Sequence, residues 1–191
     1  RFTLGNLYSN PRSSRGRVAM LEYGGVKISW LGHSSFRIRD GPTVYIDPYM
    51  IGGGEKADIL LITHEDYDHL SIEDVRKVAT PQTTVVTIPL CKPELSRLRF
   101  KEIRLVSPGD RLELMGVAIE ALPAYNTNKF ASPGKVCHPR EDAAVGLILT
   151  MKGVRIYHAG DTDIIPAMEN LSVDVALIPV SGTFVMTADE A

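Results

Sequence analysis

The sequence predicts a mixed α/β fold built from β-sheets that carry helices on their outer faces. Three observations point that way. The chain has 191 residues, 44% of them hydrophobic, enough to bury a sizeable core in one domain. Short β-rich runs bounded by turn residues recur along most of its length. The helical segments are few and short and lie between those runs, which is the pattern of sheets covered by helices.

From Val26 onward, strands are expected at Lys27 to Leu31, Ser35 to Arg39, Thr43 to Asp47, Ile59 to Thr63 and Thr83 to Ile88, each rich in β-branched or aromatic residues. Further strands are expected at Ile103 to Val106, Arg111 to Leu114, Val117 to Leu122, Val145 to Met151, Val154 to His158 and Val173 to Pro179. Ser71 followed by Asp74 caps a helix running to Ala79, and Pro89 to Leu98 and Ile164 to Asn170 read as two more. Tyr125 to Asp142, rich in Asn, Lys, Pro and Gly, has no periodicity and reads as a long functional loop.

Composition excludes several classes of function. The net charge of −2 gives no general attraction to a polyanion such as nucleic acid. The apolar stretches near Ile59 and from Ala143 to Leu149 fall far short of the roughly 20 residues a spanning helix needs. Cys91 and Cys137 are too few for a disulfide framework or a four-cysteine zinc site, which suits a reducing cytoplasm.

The two ends depart from the rest. Residues 1–24 begin with Arg1, Arg12, Arg15 and Arg17 and contain no acid before Glu22, so they are expected to be a basic, flexible extension ahead of a domain covering residues 25–191. Met20 stands just before the first strand-like run, so part of that extension is expected to lie upstream of a natural start. Thr187 followed by Glu190 reads as a helix start cut off after one turn, so the domain is expected to continue beyond Ala191.

The densest chemistry is Thr63-His64-Glu65-Asp66-Tyr67-Asp68-His69-Leu70, which sets His64, Asp66, Asp68 and His69 between a buried strand and a capped helix. Imidazole and carboxylate are the donors that borderline and hard divalent metals take, and a loop leaving a strand end can aim them inward. A solvated acidic turn before a helix would show similar residues. The other histidines favour the metal: His33, His138 and His158 also stand at strand ends or in loops, and Gly160-Asp161 ends a strand at a turn.

His64-x-Asp66-x-Asp68-His69 after an apolar strand, with Gly160-Asp161-Thr162 downstream, resembles the metallo-β-lactamase superfamily. Trp30-Leu31-Gly32-His33-Ser34-Ser35-Phe36, Ile46-Asp47-Pro48 and Tyr157-His158-Ala159-Gly160-Asp161-Thr162 look like its metal-dependent hydrolase branch, which includes the ascorbate-6-phosphate lactonases. The resemblance runs from about Gly25 to Ala191 and implies a four-layer αββα sandwich with the metals at one edge of the two sheets. It implies two divalent ions, zinc first and manganese or iron as alternatives. His64 and Asp66, with His138 as the candidate third ligand, match the first site; Asp68 and His69 match the second; Asp161 matches the bridging carboxylate. Tyr125-Asn126 is another place where relatives carry a histidine, and Cys137 beside His138 is a rival donor. The commonest signature has a histidine where this chain has Asp66, which hardens the first site. The usual last histidine of the second site, after Val180-Ser181-Gly182-Thr183, is absent before Ala191.

The resemblance implies hydrolysis of an ester, lactone or phosphoester of a small molecule by a metal-activated water, with Asp68 as a catalytic group that orients it. His33 is expected to contact the reacting groups or support a ligand, or to be a buried hydrogen-bonded histidine in a turn; Asp47 is expected to stand behind the ligands, and His158 to stand behind them or serve a structural role. Lys129, Lys135 and Arg140 are candidates for an anionic substrate group or are simply solvated. No Gly-x-Ser-x-Gly elbow occurs, and Gly52-Gly53-Gly54 lacks the Gly-Lys-Ser/Thr of a phosphate loop. Two rivals remain: a nuclease of the same superfamily using the basic start as an arm, and a metal-binding protein without turnover.

Overall fold

The computed structural model describes residues 19–191. The arginines of the basic start lie outside the described residues. β1 (Ala19–Tyr23), β2 (Val26–Gly32), β3 (Ser35–Arg39), β4 (Thr43–Ile46), β5 (Ile59–Ile62), β6 (Thr84–Thr87) and β7 (Glu102–Leu105) form one sheet in chain order. Tight turns make β1 to β4 antiparallel, whereas longer crossovers make β4 to β7 parallel. The other large sheet is built from β8 (Arg111–Leu114), β9 (Val117–Pro123), β12 (Val145–Met151), β13 (Val154–His158) and β14 (Val175–Leu177), in the spatial order β14-β13-β12-β9-β8. Between β9 and β12 a small separate hairpin pairs β10 (Phe130–Ser132) with β11 (Lys135–Val136).

The side-chain period of two decides which sheet face meets which core. Val145, Leu147, Leu149 and Met151 of β12 join Ile119 and Ile156 of their own sheet and Ile28, Ile38 and Ile46 of the other in one buried cluster. Ile148, on the opposite face of β12, packs with Tyr157 and Ala159 in a second cluster covered by Met168, Leu171 and Val173.

On the first sheet the covering layer is α1 (Ile72–Val78), whose Val75 and Val78 are buried. The Ser71 hydroxyl accepts the Asp74 N–H at 3.3 Å, acids fill the first turn, and Arg76 and Lys77 fill the last, as the backbone dipole favours. Asp74 itself is buried and accepts the N–H groups of Met50 and Ile51 at 2.8 and 3.0 Å, pinning the loop after β4 to the helix. Among the described residues, no helix is long and apolar enough to cross a membrane.

Four sequence expectations change in detail. Ala19–Tyr23, placed in the extension, are a strand: β1 pairs with β2 from Ala19↔Trp30 to Tyr23↔Val26 through a Gly24-Gly25 turn with positive φ at both glycines. The expected helix from Pro89 to Leu98 is a 3-10 turn, Pro89–Cys91, followed by one turn of α-helix, α2 (Lys92–Leu95). No side chain caps either start, and a four-residue helix gains little from propagation. Ile164 to Asn170 contains only the 3-10 turn Pro166–Met168, because Glu169 is extended and Asn170 has φ +61. The outermost layer on the second sheet is therefore an irregular segment rather than a regular helix. The long loop is interrupted by the β10–β11 hairpin, whose turn uses Gly134 at φ +77.

Candidate metal centre

β5 is apolar and buried throughout, and the chain leaves it at Thr63. There it meets Asp47, which follows β4 in a left-handed conformation (φ +43) and is fully buried. Asp47 Oδ1 accepts the Thr63 N–H at 2.9 Å, and Oδ2 accepts the Thr63 hydroxyl at 2.6 Å. The same Oδ2 lies 2.8 Å from His69 Nδ1. A carboxylate only accepts, so His69 donates from Nδ1 and turns Nε2 away from Asp47. The Thr63 hydroxyl hydrogen is engaged by Asp47, so its oxygen accepts from His64 Nδ1 at 3.0 Å. His64 is thereby fixed in the same tautomer.

His138 reaches the site from the far end of the long loop. Asn126, just past β9, accepts both the backbone N–H and the Nδ1–H of His138 on its Oδ1, at 2.9 and 2.7 Å. Its amide nitrogen donates to the Phe184 carbonyl at 3.0 Å, which fixes the orientation of the amide. A third imidazole therefore presents Nε2, here 3.2 Å from Asp66 Oδ2 and 3.7 Å from Asp161 Oδ2. Asp161 is delivered by Gly160, at φ +62, where a Cβ would sit 2.7 Å from the Val145 carbonyl oxygen. Only glycine passes that point without displacing backbone.

The imidazoles and carboxylates of the cluster shift one another's titration. Burial alone would raise Asp161, yet His69, His64 and His138 bring its carboxyl down to about 2. The neighbouring imidazoles of His138 and then His64 hold Asp66 far below the usual carboxylate range. Burial would lower His69, but the charges of Asp47 and Asp161 raise it well above the ordinary histidine value. Despite this crowding, the buried Nε2 atoms of His64 and His69 have no hydrogen-bond partner. His69 Nε2 lies 3.3 Å from Asp161 Oδ1, but not in hydrogen-bonding geometry. Buried polar atoms left unpaired are rare and costly. Imidazole nitrogens with carboxylates around them are the donor set of a borderline divalent ion, so the residues fit one. Among the described residues, three groups have ligand atoms within 4.8 Å of one another: His64, Asp66 and His138; His64, His69 and Asp161; and His33, Asp68 and His69.

The structure brings His33, His64, Asp66, Asp68, His69, His138 and Asp161 together, with Asp47 behind His69, while His158 stands apart from them. Asp47 supports His69 as anticipated. His158, expected behind the ligands or in a structural role, is buried; its Nε2–H donates to the Ser34 carbonyl at 2.8 Å, and its Nδ1 accepts from Gly160. It ties the second sheet to the β2–β3 turn, and burial lowers its pKa. Lys129 is not free for substrate, since it lies within 3.0 Å of Glu190 and 3.6 Å of Asp163. The Arg140 guanidinium sits 5.4 Å from the centre of the Tyr125 ring. Thr63, as the hub between Asp47 and His64, was not foreseen; its only signal is a polar residue directly after an apolar strand. The Thr187 and Glu190 expected at a helix start do form a reciprocal capping pair, with Thr187 N–H on Glu190 at 2.6 Å and Glu190 N–H on the Thr187 hydroxyl at 3.2 Å.

Two facing sheets with a His/Asp cluster at strand ends along one edge define a metallo-β-lactamase-type protein. Residues 27–191 match the family model described as the β-lactamase superfamily domain, and the chain belongs to that family. A metal-dependent hydrolase from Methanoculleus marisnigri is 31% identical over 174 residues, covering 87% of this chain and 73% of that one. One from Archaeoglobus fulgidus is 30% identical over 177 residues, covering 84% and 74%. Among solved structures, a protein described as a metal-dependent hydrolase from Parabacteroides distasonis superposes with a TM-score of 0.76 at 29% identity, covering 91% of this chain and 80% of that one. A metallo hydrolase from Ignicoccus hospitalis gives 0.65 at 26%, covering 86% and 75%. The chain is an enzyme, a metal-dependent hydrolase of this superfamily.

Proposed function

We propose that this hydrolase holds two divalent ions and cleaves an ester, lactone or phosphoester bond of a small molecule. The observation that carries the reading is the convergence of three imidazoles, each locked by its Nδ1–H so that Nε2 faces the carboxylates of Asp66 and Asp161. His64, Asp66 and His138 would hold one ion, Asp68 and His69 the other, with Asp161 between them. Zinc suits this donor set, and the carboxylate of Asp66 also admits manganese or iron. When bound, the ions supply Lewis acidity and lower the pKa of a water from 15.7 to about 7.

The chain's own residues do the positioning. Asp47, Thr63 and Asn126 hold the imidazole tautomers, and such supporting groups set affinity as much as the ligands do. Asp68 would orient the attacking water, a role supported by its side chain being 27% exposed rather than buried. His33 stands beside it. Cys91 and Cys137 are both free, which suits a reducing cytoplasm.

The test is elemental analysis of protein purified without added metal, beside an Asp161→Ala variant, followed by metal-activated hydrolysis assays on ester, lactone and phosphoester panels. About two equivalents in the parent and fewer in the variant are expected. Absence of metal even after reconstitution would sink the reading, and turnover of nucleic acid alone would replace the small-molecule substrate.

A further inference from the structure

The turn between β2 and β3 places one more imidazole at this centre. His33 Nε2 lies 3.3 Å from Asp68 Oδ2, and its ring stands edge-on to that of His69 with centroids 5.4 Å apart. His33, Asp68 and His69 all offer ligand atoms within 4.8 Å of one another. In that group His69 has one nitrogen to give, because Nδ1 is bound to Asp47. The remaining atom is Nε2, buried and unpartnered, and it faces Asp161 as well. His69 is thus shared between the group with His33 and Asp68 and the group with His64 and Asp161.

The backbone holds His33 at that place at some cost. His33 has φ +49, a left-handed conformation worth roughly 1 kcal/mol of strain or more for a residue with a Cβ. Such a conformation persists only where the surroundings over-determine it, and here they do. The Trp30 indole donates to the His33 carbonyl at 2.8 Å, and His158 donates to the next carbonyl, Ser34. The Ser35 hydroxyl donates to the Asp47 carbonyl at 2.6 Å and accepts the Tyr49 N–H at 2.8 Å. Asp47 is the residue that orients His69. The turn bearing His33 and the support of His69 are thus one hydrogen-bonded unit, and the His33 ring makes edge contacts with those of Tyr49 and His69.

We propose that His33 is itself a ligand of the second ion, so that this turn supplies an imidazole alongside Asp68, His69 and Asp161. The inference rests on the two-ion reading above. A group that only hydrogen-bonds a ligand would change affinity by about 10- to 100-fold when lost, whereas loss of a ligand removes a metal–nitrogen bond that can be observed directly. The chain is loaded with spin-active cadmium after isotopic labelling of the imidazole nitrogens, and cadmium–nitrogen scalar couplings are recorded for the parent, His33→Asn and His138→Ala. Asparagine tolerates the left-handed backbone, and circular dichroism of the metal-free variant checks its fold.

The expected result is a coupled nitrogen in the parent that disappears in His33→Asn while the His64 and His138 couplings persist. Metal content after dialysis against a chelator should fall by about one equivalent in the same variant. Couplings from His64, His69 and His138 alone, unchanged in His33→Asn, would overturn the role of His33 and leave the two-ion reading standing. A parent that retains no metal would overturn both.

Discussion

Asn126 shows how much one amide decides. Its Oδ1 takes two N–H groups of His138, and its own NH₂ is anchored on Phe184, so the His138 ring cannot rotate without breaking a buried network. Asn126→Leu leaves the backbone N–H of His138 without a partner at a site only 4% exposed, which costs about 1–3 kcal/mol. Metal affinity at the first site should fall by about 10- to 100-fold as the tautomer is released. A competition titration with a chromophoric chelator measures the affinity, and urea unfolding of the metal-free protein measures the stability. Unchanged affinity would show that His138 is held by something else. The sequence marked this position as one where relatives carry a histidine. It could not show that Asn126 supports His138, because the contact spans twelve residues of loop.

At the scale of the element, Asp74 joins α1 to the loop after β4. Burial would raise its carboxyl, but Lys77, Ser71 and the N–H groups of Met50 and Ile51 lower it below the ordinary value. A carboxyl depressed in the folded state contributes stability that is present above the unfolded value of about 3.9 and is lost as pH falls through the folded one. Asp74→Asn should therefore destabilise the metal-free protein by about 1–3 kcal/mol at neutral pH, with the difference from the parent shrinking below about pH 4. Urea melts from pH 7 down to pH 3 test this; a difference that stays constant would place the effect in packing rather than charge. The helix was legible from Ser71 and Asp74 because capping is local. Asp74's grip on Met50 and Ile51 was not, since nothing local to either segment encodes it.

At the scale of the whole molecule, the centre is assembled from the β2–β3 turn, the loop after β5, the end of the long loop and the turn after β13. An unfolded chain cannot bring these together, so an ion that binds them stabilises the fold by mass action, about 2.7 kcal/mol at a concentration 100 times the dissociation constant. Thermal unfolding should shift upward with added zinc or manganese and return with a chelator, and Asp161→Ala should lose most of the shift. A melting temperature insensitive to metal in the parent would mean that the ion does not bind the folded chain, or binds folded and unfolded chain alike.

What the sequence determined by itself was local: strand periodicity, the cap of α1, and the clustering of His64, Asp66, Asp68 and His69 within six residues. These features depend on neighbours in the chain, and β3, β8, β12 and β13 have the bounds expected of them. β1 escaped because it is a largely exposed edge strand whose only sign was the Gly24-Gly25 turn. Only the tertiary structure decided which nitrogen each histidine offers, because Asp47 and Asn126 meet His69 and His138 from distant segments, and Thr63 is turned to accept from its neighbour His64 by Asp47. The same holds for His33 and His158, two similar-looking histidines at strand ends. One faces Asp68, while the other is buried against a carbonyl, because the pairing of two sheets, not local sequence, sets what lies opposite each ring.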